Sequence, residues 1–248
     1  MPAGTGRFWV FGRVVAFCVR LGVFHAYNGT MAKKGEALAR GFYFDNTRCT
    51  GCRTCVMACA DYRDLPLGRA YRRVIDYEGG SCKVDSRGLV HADAYAYHVS
   101  LSCNHCERPE CVHVCPTGAM HKNELDLVCV DAKKCIGCGY CTMACPYHAP
   151  SIDPFSRQSS KCDGCSDRVS EGKLPICVEA CPLRALTFGR PDELRGLSED
   201  VSSDIMPLPD SSYTSPNFFV RLSPAAREAL EAKGFIANPA EIENNREV

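Results

Sequence analysis

The sequence predicts an α+β protein with little regular secondary structure, in which short strands and single helical turns connect loops rich in cysteine. Nineteen of the 248 residues are cysteine. This is several times the share in an ordinary globular chain, so cysteine must have a dedicated role. Sixteen of the nineteen fall into four regularly spaced sets, and little regular secondary structure is expected between these sets.

The four sets, called quartets one to four, share one spacing rule. Two residues separate the first and second cysteines of every quartet, and three residues separate the third and fourth. In chain order the quartets are Cys49, Cys52, Cys55 and Cys59; Cys103, Cys106, Cys111 and Cys115; Cys135, Cys138, Cys141 and Cys145; and Cys162, Cys165, Cys177 and Cys181. Proline follows the last three quartets directly, whereas Ala60 follows quartet one.

This spacing suits the thiolate ligands of [4Fe-4S] clusters. Cysteines two residues apart let a tight loop direct three thiolates at three irons of one cube, and the fourth cysteine lies about one helical turn further on. In the bacterial ferredoxin run, that fourth cysteine binds the other cluster of a pair. Gly51, Gly137 and Gly164 lie within the loops and let backbone N–H groups approach the sulfurs. We therefore expect the quartets to work in pairs.

Disulfides and zinc are the competing uses of so many cysteines. A disulfide framework is typical of short secreted chains, and cysteines two residues apart cannot all find distant partners of suitable geometry. Zinc sites usually join two Cys-x2-Cys knuckles across a dozen or more residues. Only quartet four resembles that pattern, so a zinc-stapled interaction protein is kept as a remote alternative.

Regular structure between the quartets is expected to be sparse. Strands are predicted at residues 41–44, 95–101, 125–131 and 185–188, and one-turn helices after the fourth cysteines. Ser223 and Pro224, followed by residues 225–233 and Gly234, have the pattern of a capped helix. Of the three cysteines outside the quartets (Cys18, Cys82 and Cys129), Cys129 is expected to be a packed thiol. Bound cubes would replace much of the apolar core, so the metal-free chain is expected to fold poorly.

The remaining composition excludes several classes of function. The formal net charge is zero, which leaves no basic footprint for nucleic acid. The apolar stretch at residues 8–24 is short and is interrupted by Arg13 and Arg20, so neither a transmembrane helix nor a secretory signal is predicted. Residues 1–40 are interpreted as an N-terminal extension that is disordered or results from a start assigned upstream of Met31. No set of side chains has a catalytic pattern.

The residues that flank the quartets resemble those of a known family. The matching flanks are Asp45-Asn46-Thr47-Arg48-Cys49-Thr50-Gly51-Cys52, Ser102-Cys103-Asn104-His105-Cys106, Cys115-Pro116-Thr117-Gly118-Ala119, Cys135-Ile136-Gly137-Cys138 and Lys161-Cys162-Asp163-Gly164-Cys165-Ser166-Asp167-Arg168. Across about residues 41–217, the chain resembles the four-cluster iron–sulfur (beta) subunit of dimethyl sulfoxide reductase and related molybdopterin oxidoreductases. His148 stands where relatives usually have glycine, a change that affects a turn but removes no ligand.

The resemblance implies two nested ferredoxin-like modules. Residues 41–102 and 150–190 would form the first module, residues 103–149 the second, and residues 191–248 a C-terminal tail with a short helix. The implied ligand sets are Cys49, Cys52, Cys55 and Cys181 (cluster a); Cys162, Cys165, Cys177 and Cys59 (cluster b); Cys103, Cys106, Cys111 and Cys145 (cluster c); and Cys135, Cys138, Cys141 and Cys115 (cluster d). All sixteen positions are cysteine, so four [4Fe-4S] clusters are expected.

The same resemblance implies an electron-transfer subunit with no catalytic site of its own. It would relay electrons between a quinol-oxidising integral membrane anchor and a molybdopterin catalytic subunit. The chain would be peripheral and held at the membrane by these partners, on a side that the sequence does not decide. A formate dehydrogenase or a polysulfide, thiosulfate, tetrathionate or nitrite reductase could use the same kind of subunit. Beside the ligands, the cations that could raise cluster potentials are Arg48, Lys134, Lys161 and Arg168.

Overall fold

The computed structural model describes residues 39–231 and 234–243, so Cys18 and nearly all of the predicted N-terminal extension lie outside the described residues. The strands are β1 Gly41–Asp45, β2 Arg73–Gly79, β3 Cys82–Val84, β4 Val90–Ala92, β5 Tyr95–Leu101, β6 Met120–Lys122, β7 Val128–Val130, β8 Ser151–Ile152, β9 Ser159–Ser160, β10 Leu186–Gly189, β11 Val201–Ser202, β12 Phe218–Arg221 and β13 Gly234–Ile236. The helices are α1 Thr54–Tyr62, α2 Glu110–His113, α3 Tyr140–Ala144, α4 Ser166–Ser170, α5 Ile176–Glu179, α6 Pro191–Arg195, α7 Pro224–Glu228 and α8 Pro239–Glu243, and Ser211–Tyr213 form one turn of 3-10 helix. These elements are short and form small sheets, which confirms the predicted α+β class.

Strand β1 joins distant parts of the chain. It pairs antiparallel with β10 on one side and parallel with β12 on the other, and β11 extends the sheet beyond β12. All five residues of β1 are buried, as expected of a strand covered on both faces. The Phe42 ring lies 4.9 Å from the ring of Phe188 in β10. The segment before quartet one is thereby fixed both to the segment after quartet four and to the C-terminal part of the chain.

A second sheet joins β2 and β5, which lie between quartets one and two in the sequence, to β13, which follows quartet four. Strand β5 pairs antiparallel with the whole of β2, and β13 pairs with the other edge of β2. The buried rings of Tyr77 and Tyr97 lie 5.5 Å apart, and Val99 is fully buried. The strands predicted at 41–44, 95–101 and 185–188 are confirmed to within one residue.

The predicted C-terminal helix begins as expected but is shorter. The N–H of Ala226 donates to Ser223 Oγ, and Pro224 is the first residue of α7. The helix ends at Glu228 instead of residue 233, because the chain turns to place β13 beside β2. After the helix, the N–H groups of Leu230 and Glu231 donate to the carbonyl oxygens of Arg227 and Glu228 in turns.

The prediction of helices after the fourth cysteines is wrong, because the helices lie before them. Helices α2, α3 and α5 each end one or two residues before a Cys-Pro pair, and turns follow the prolines. Proline disfavours the α conformation in the residue before it, so a helix cannot continue through these cysteines. In quartet one Ala60 replaces the proline, and α1 runs through Cys59 to Tyr62.

The strand predicted at 125–131 is also shorter, since β7 covers only Val128–Val130 and pairs with β6. Asn123 Oδ1 accepts hydrogen bonds from the N–H groups of Leu125 and Leu127, and Asp126 has a φ of 56°. Such asparagine-centred turns replace extended backbone. Across the described residues, no helix combines the length and the apolar character that a membrane crossing needs. The division into two nested modules stays a prediction.

Candidate metal centres

The first group of neighbouring thiols joins three cysteines of quartet one to one cysteine of quartet four. Burial raises the pKa of Cys49 to about 11, and the nearby thiolates of Cys55, Cys181 and Cys52 add to this increase. Helices α1 and α5 pack together, which brings Cys181 to this group. Cys55 is buried beside Ser100, with 3.4 Å between Sγ and Oγ, whereas Cys52 is exposed.

The second group joins quartet four to the last cysteine of quartet one. Burial raises the pKa of Cys59 to about 12, and the thiolates of Cys177 and Cys165 contribute in the same direction. Burial also raises the pKa of Cys162 well above its usual value, with contributions from Cys59 and Cys177. All four of these cysteines are buried.

The third and fourth groups exchange a cysteine between quartets two and three in the same way. Burial raises the pKa of Cys111, and the thiolates of Cys103, Cys145 and Cys106 add to the effect; all four are buried. In the fourth group, burial raises the pKa of Cys141. Its thiolate neighbours are Cys135, Cys138 and Cys115. Cys138 is exposed. The last cysteine of each quartet thus lies near cysteines of another quartet, and the ligand sets of clusters a to d stay a prediction.

Two of the groups line cavities. Cys49, Cys52, Cys55 and Cys181 line one pocket that is partly open to solvent, and Cys115, Cys135, Cys138 and Cys141 line another. In the described part of the chain, no three His, Cys, Asp or Glu side chains converge on one point suited to a single metal ion. A four-iron cube needs ligands around a space of this kind, and the thiols of these two groups are placed around one.

Backbone N–H groups donate to several of the sulfurs. The pairs are Met120 N to Cys115 Sγ at 3.3 Å, Ser159 N to Cys135 Sγ at 3.2 Å, Gly164 N to Cys162 Sγ at 3.4 Å and Ala185 N to Cys181 Sγ at 3.3 Å. Hydrogen bonds to cluster sulfurs are one of the ways in which a protein sets reduction potential. The loops therefore supply polar groups as well as ligands.

Three buried donors near the cysteines have no hydrogen-bond acceptor among the described residues, namely Arg72 Nε, Asn104 Nδ2 and His105 Nε2. His105 Nδ1 accepts from the Val128 N–H at 3.0 Å, so the ring proton is on Nε2. Burial lowers the pKa of His105 well below its usual value and keeps the ring neutral. A Cβ on Gly164 would lie 3.3 Å from His105 Nε2, which places this donor against the loop of quartet four. Unpaired buried donors are costly, and cluster sulfurs would supply the missing acceptors.

Of the four cations predicted to raise potentials, only Lys161 is buried. Arg48 and Lys134 are largely exposed and pair with Asp45 and Asp131. Arg168 binds Glu179. The sequence reasoning missed Arg72, which is fully buried among the cysteines. The only signal for it in the sequence was the pair Arg72-Arg73 at the start of β2, outside the quartets.

Two of the three cysteines outside the quartets, Cys82 and Cys129, lie among the described residues. Cys129 in β7 is partly buried and packs against the main core, as predicted, and burial raises its pKa. Cys82 is exposed in β3.

The fold and the grouped thiols define an iron–sulfur protein with ferredoxin-like [4Fe-4S]-binding domains. A family profile described as "4Fe-4S dicluster domain" matches residues 94–191, and one described as "4Fe-4S binding domain" matches residues 46–62. These matches decide between the iron and zinc chemistries that the sequence left open.

The protein belongs to the family of the B subunit of anaerobic dimethyl sulfoxide reductase. It is 50% identical to that subunit from Escherichia coli over 202 residues, which cover 82% of this protein and 98% of the relative. The corresponding subunit of Haemophilus influenzae matches with the same identity and coverage. The thiosulfate reductase electron transfer subunit PhsB of Salmonella typhi is 42% identical over 60% of this protein and 74% of its own length. The protein is an iron–sulfur electron-transfer subunit of a reductase complex and is not catalytic alone.

Proposed function

We propose that the chain holds four [4Fe-4S] clusters and relays electrons between a quinol-oxidising membrane anchor and a molybdopterin-containing catalytic subunit. When bound, each cluster takes up and releases one electron. The observation that carries the proposal is the grouping of sixteen thiols into four neighbouring sets, each with three cysteines of one quartet and one of another. Each set would bind one of the clusters a to d.

We further propose the order a, b, c, d for the relay. Sets b and c consist entirely of buried cysteines, whereas sets a and d each include an exposed one. The thiolates of Cys55 in set a and Cys177 in set b interact, as do those of Cys162 in set b and Cys103 in set c. Cys103 also shares an apolar core with Cys141 of set d. These contacts support a continuous path with clusters a and d at its ends.

The surface near both ends supports contact with partner proteins. Ile136, Tyr140 and Met143 are exposed next to set d, and Met57 and Leu183 are exposed next to set a. Large exposed apolar side chains beside functional groups are typical of interaction surfaces. Membrane association would come through the anchor subunit. The near-complete coverage of the dimethyl sulfoxide reductase relatives favours that type of complex over the thiosulfate reductase type.

Serine variants of the two exchanged cysteines, Cys59 and Cys181, test the ligand sets. We expect Cys181→Ser to alter the EPR signal of cluster a, and Cys59→Ser to alter that of cluster b. The unaltered complex, purified anaerobically with its partners, should contain about sixteen irons per chain, four for each cluster. Cys82→Ser is the matched control, because this exposed cysteine lies outside the quartets, and its spectra should be unchanged. Spectra that are identical in both ligand variants and the unaltered protein would refute the proposed ligand sets.

A further inference from the structure

Two cations lie inside the core among the quartet cysteines. Arg72 is 1% exposed and Lys161 is 5% exposed. Within the described residues, both donate only to hydroxyl and carbonyl oxygens and neither binds a carboxylate. An unpaired charge in a protein interior is strongly unfavourable. Their burial therefore requires negative charge of another kind close by.

Arg72 lies between sets a and b. Its Nη1 donates to the carbonyl oxygen of Ser100 at 3.2 Å and to Ser100 Oγ at 3.1 Å, and its Nη2 donates to Ser102 Oγ at 2.9 Å. The same Ser100 Oγ lies 3.4 Å from Cys55 Sγ of set a. The guanidinium carbon is 4.7 Å from the centre of the Phe42 ring. Its charge interacts with Cys177, Cys162 and Cys59 of set b as well as with Cys55.

Lys161 lies between sets b and c. Its Nζ donates to the carbonyl oxygens of Val128 and Cys162, the latter at 2.8 Å. Cys162 belongs to set b, and Val128 packs in one apolar core with Cys103 and Cys111 of set c. The ammonium charge interacts with all three of these cysteines.

A [4Fe-4S] cube with four thiolates carries net negative charge, and reduction adds one more negative charge. A fixed cation next to the cube therefore stabilises the reduced form more than the oxidised form, and a buried cation is screened far less than an exposed one. Arg72 and Lys161 meet both conditions, whereas Lys134 is 61% exposed at its side chain and pairs with Asp131.

We propose that Arg72 and Lys161 are the fixed counter-charges of the relay, Arg72 raising the reduction potentials of clusters a and b, and Lys161 those of clusters b and c. This inference rests on the ligand sets and order proposed above. Cluster b is the one cluster next to both cations. The Nε–H of Arg72, which lacks an acceptor among the described residues, would donate to a cluster sulfur.

The test is a potentiometric EPR titration of the full-length protein in its complex. Arg72→Met and Lys161→Met remove the charges, Arg72→Lys and Lys161→Arg retain them, and Lys134→Met is the control for an exposed cation beside a ligand. Serine variants of one ligand per cluster assign the signals, namely Cys52, Cys165, Cys106 and Cys138.

We expect Arg72→Met to lower the equilibrium constant for one-electron reduction of clusters a and b at least tenfold. This corresponds to a fall in reduction potential of about 59 mV for each cluster. Clusters c and d should keep their potentials. Lys161→Met should shift clusters b and c instead, and the charge-retaining variants and Lys134→Met should shift none of them that far. Where a neutral variant fails to assemble its two adjacent clusters, full assembly in the charge-retaining variant supports the same role.

Equal shifts in the neutral and charge-retaining variants would overturn the proposal, as would four assembled clusters with unchanged potentials in both neutral variants. Equal loss of clusters in a neutral variant and its charge-retaining counterpart would also overturn it. None of these outcomes affects the proposed relay, which fails only if the unaltered protein lacks four clusters or the predicted ligands.

Discussion

His148 occupies a backbone conformation that glycine adopts most easily. Its φ is 51°, in the turn after quartet three, and its carbonyl oxygen accepts a hydrogen bond from Arg73 Nη2 at 3.0 Å. A residue with a Cβ in this left-handed region costs about 1–2 kcal/mol. The histidine noted in the sequence as a departure from the family therefore leaves a glycine-like turn in place and adds local strain.

We expect His148→Gly to stabilise the protein by about 0.5–1 kcal/mol. The relief of strain exceeds the extra chain entropy that glycine gives to the unfolded state. Thermal loss of the cluster absorbance under anaerobic conditions measures the change. His148→Ala keeps the strain and serves as the control. Equal stability of the glycine and alanine variants would show that the side chain carries no strain.

At the scale of single residues, local spacing was enough to identify the quartet cysteines, because loop geometry depends on neighbours in sequence. Local spacing did not predict which cluster each fourth cysteine would bind, and that assignment came only from the family resemblance. The position of Arg72 among the cysteines was not predicted from the sequence. Its position among cysteines of two sets depends on where β2 and β5 bring Ser100 and Ser102.

At the scale of elements, one proline decides how far each quartet helix extends. Helix α1 has no proline after its fourth cysteine, so its last turn continues and reaches the loop of quartet four. The Tyr62 hydroxyl donates to Asp167 at 2.6 Å, and Arg63 Nη2 binds Asp163 and Asp167 at 2.7 and 2.8 Å. The extra helical turn therefore ties quartet one to quartet four.

We expect Ala60→Pro to destabilise the protein by about 3 kcal/mol, because a proline in a helix interior removes an N–H and clashes with the preceding turn. The last turn of α1 would open, and Tyr62 and Arg63 would leave the loop of quartet four. Anaerobic chemical unfolding followed by cluster absorbance measures the loss. Ala60→Ser retains the N–H and should cost well under 1 kcal/mol. A proline variant as stable as the serine variant would refute this account of α1.

Strands β1, β5 and β10 were predicted from their apolar residues, whereas β2 and β12, which are also largely buried, were not predicted. β13 was not predicted, and β7 begins at Val128 instead of residue 125, for different reasons. β13 forms because it pairs with a free edge of β2. This pairing is a long-range contact that the local sequence does not reveal. The turn before β7 depends on one asparagine side chain, Asn123, bonding the local backbone.

At the scale of the whole molecule, the apolar core is unevenly distributed. Large aromatic and aliphatic side chains fill the region around β1, β2 and β5. A separate small core near quartets two and three consists of four cysteines with Met120 and Val128, and Leu127 and Tyr147 are the large apolar side chains that this region adds to the main core. The stability of residues 103–149 therefore depends on bound metal more than that of the two main sheets.

We expect removal of iron by an anaerobic chelator to unfold the protein unevenly. Amide protection in residues 103–149 should be lost first, and β2 and β5 should retain part of theirs, because their apolar contacts do not require a cluster. Hydrogen exchange with mass spectrometry measures this order, with the loaded protein as the control. Simultaneous loss of protection in all regions would contradict it.

The position of β1 between β10 and β12 also has a consequence for synthesis. Asp45 and Arg221, the last residues of β1 and β12, are separated by 176 positions in the sequence. At about 5–20 residues per second, β1 leaves the ribosome roughly ten to thirty-five seconds before its last partner. Strand β10 is synthesised earlier and can pair with one edge of β1, but the other edge has no partner strand until β12 has been made, so its backbone N–H and C=O groups stay open to other extended chains during that interval.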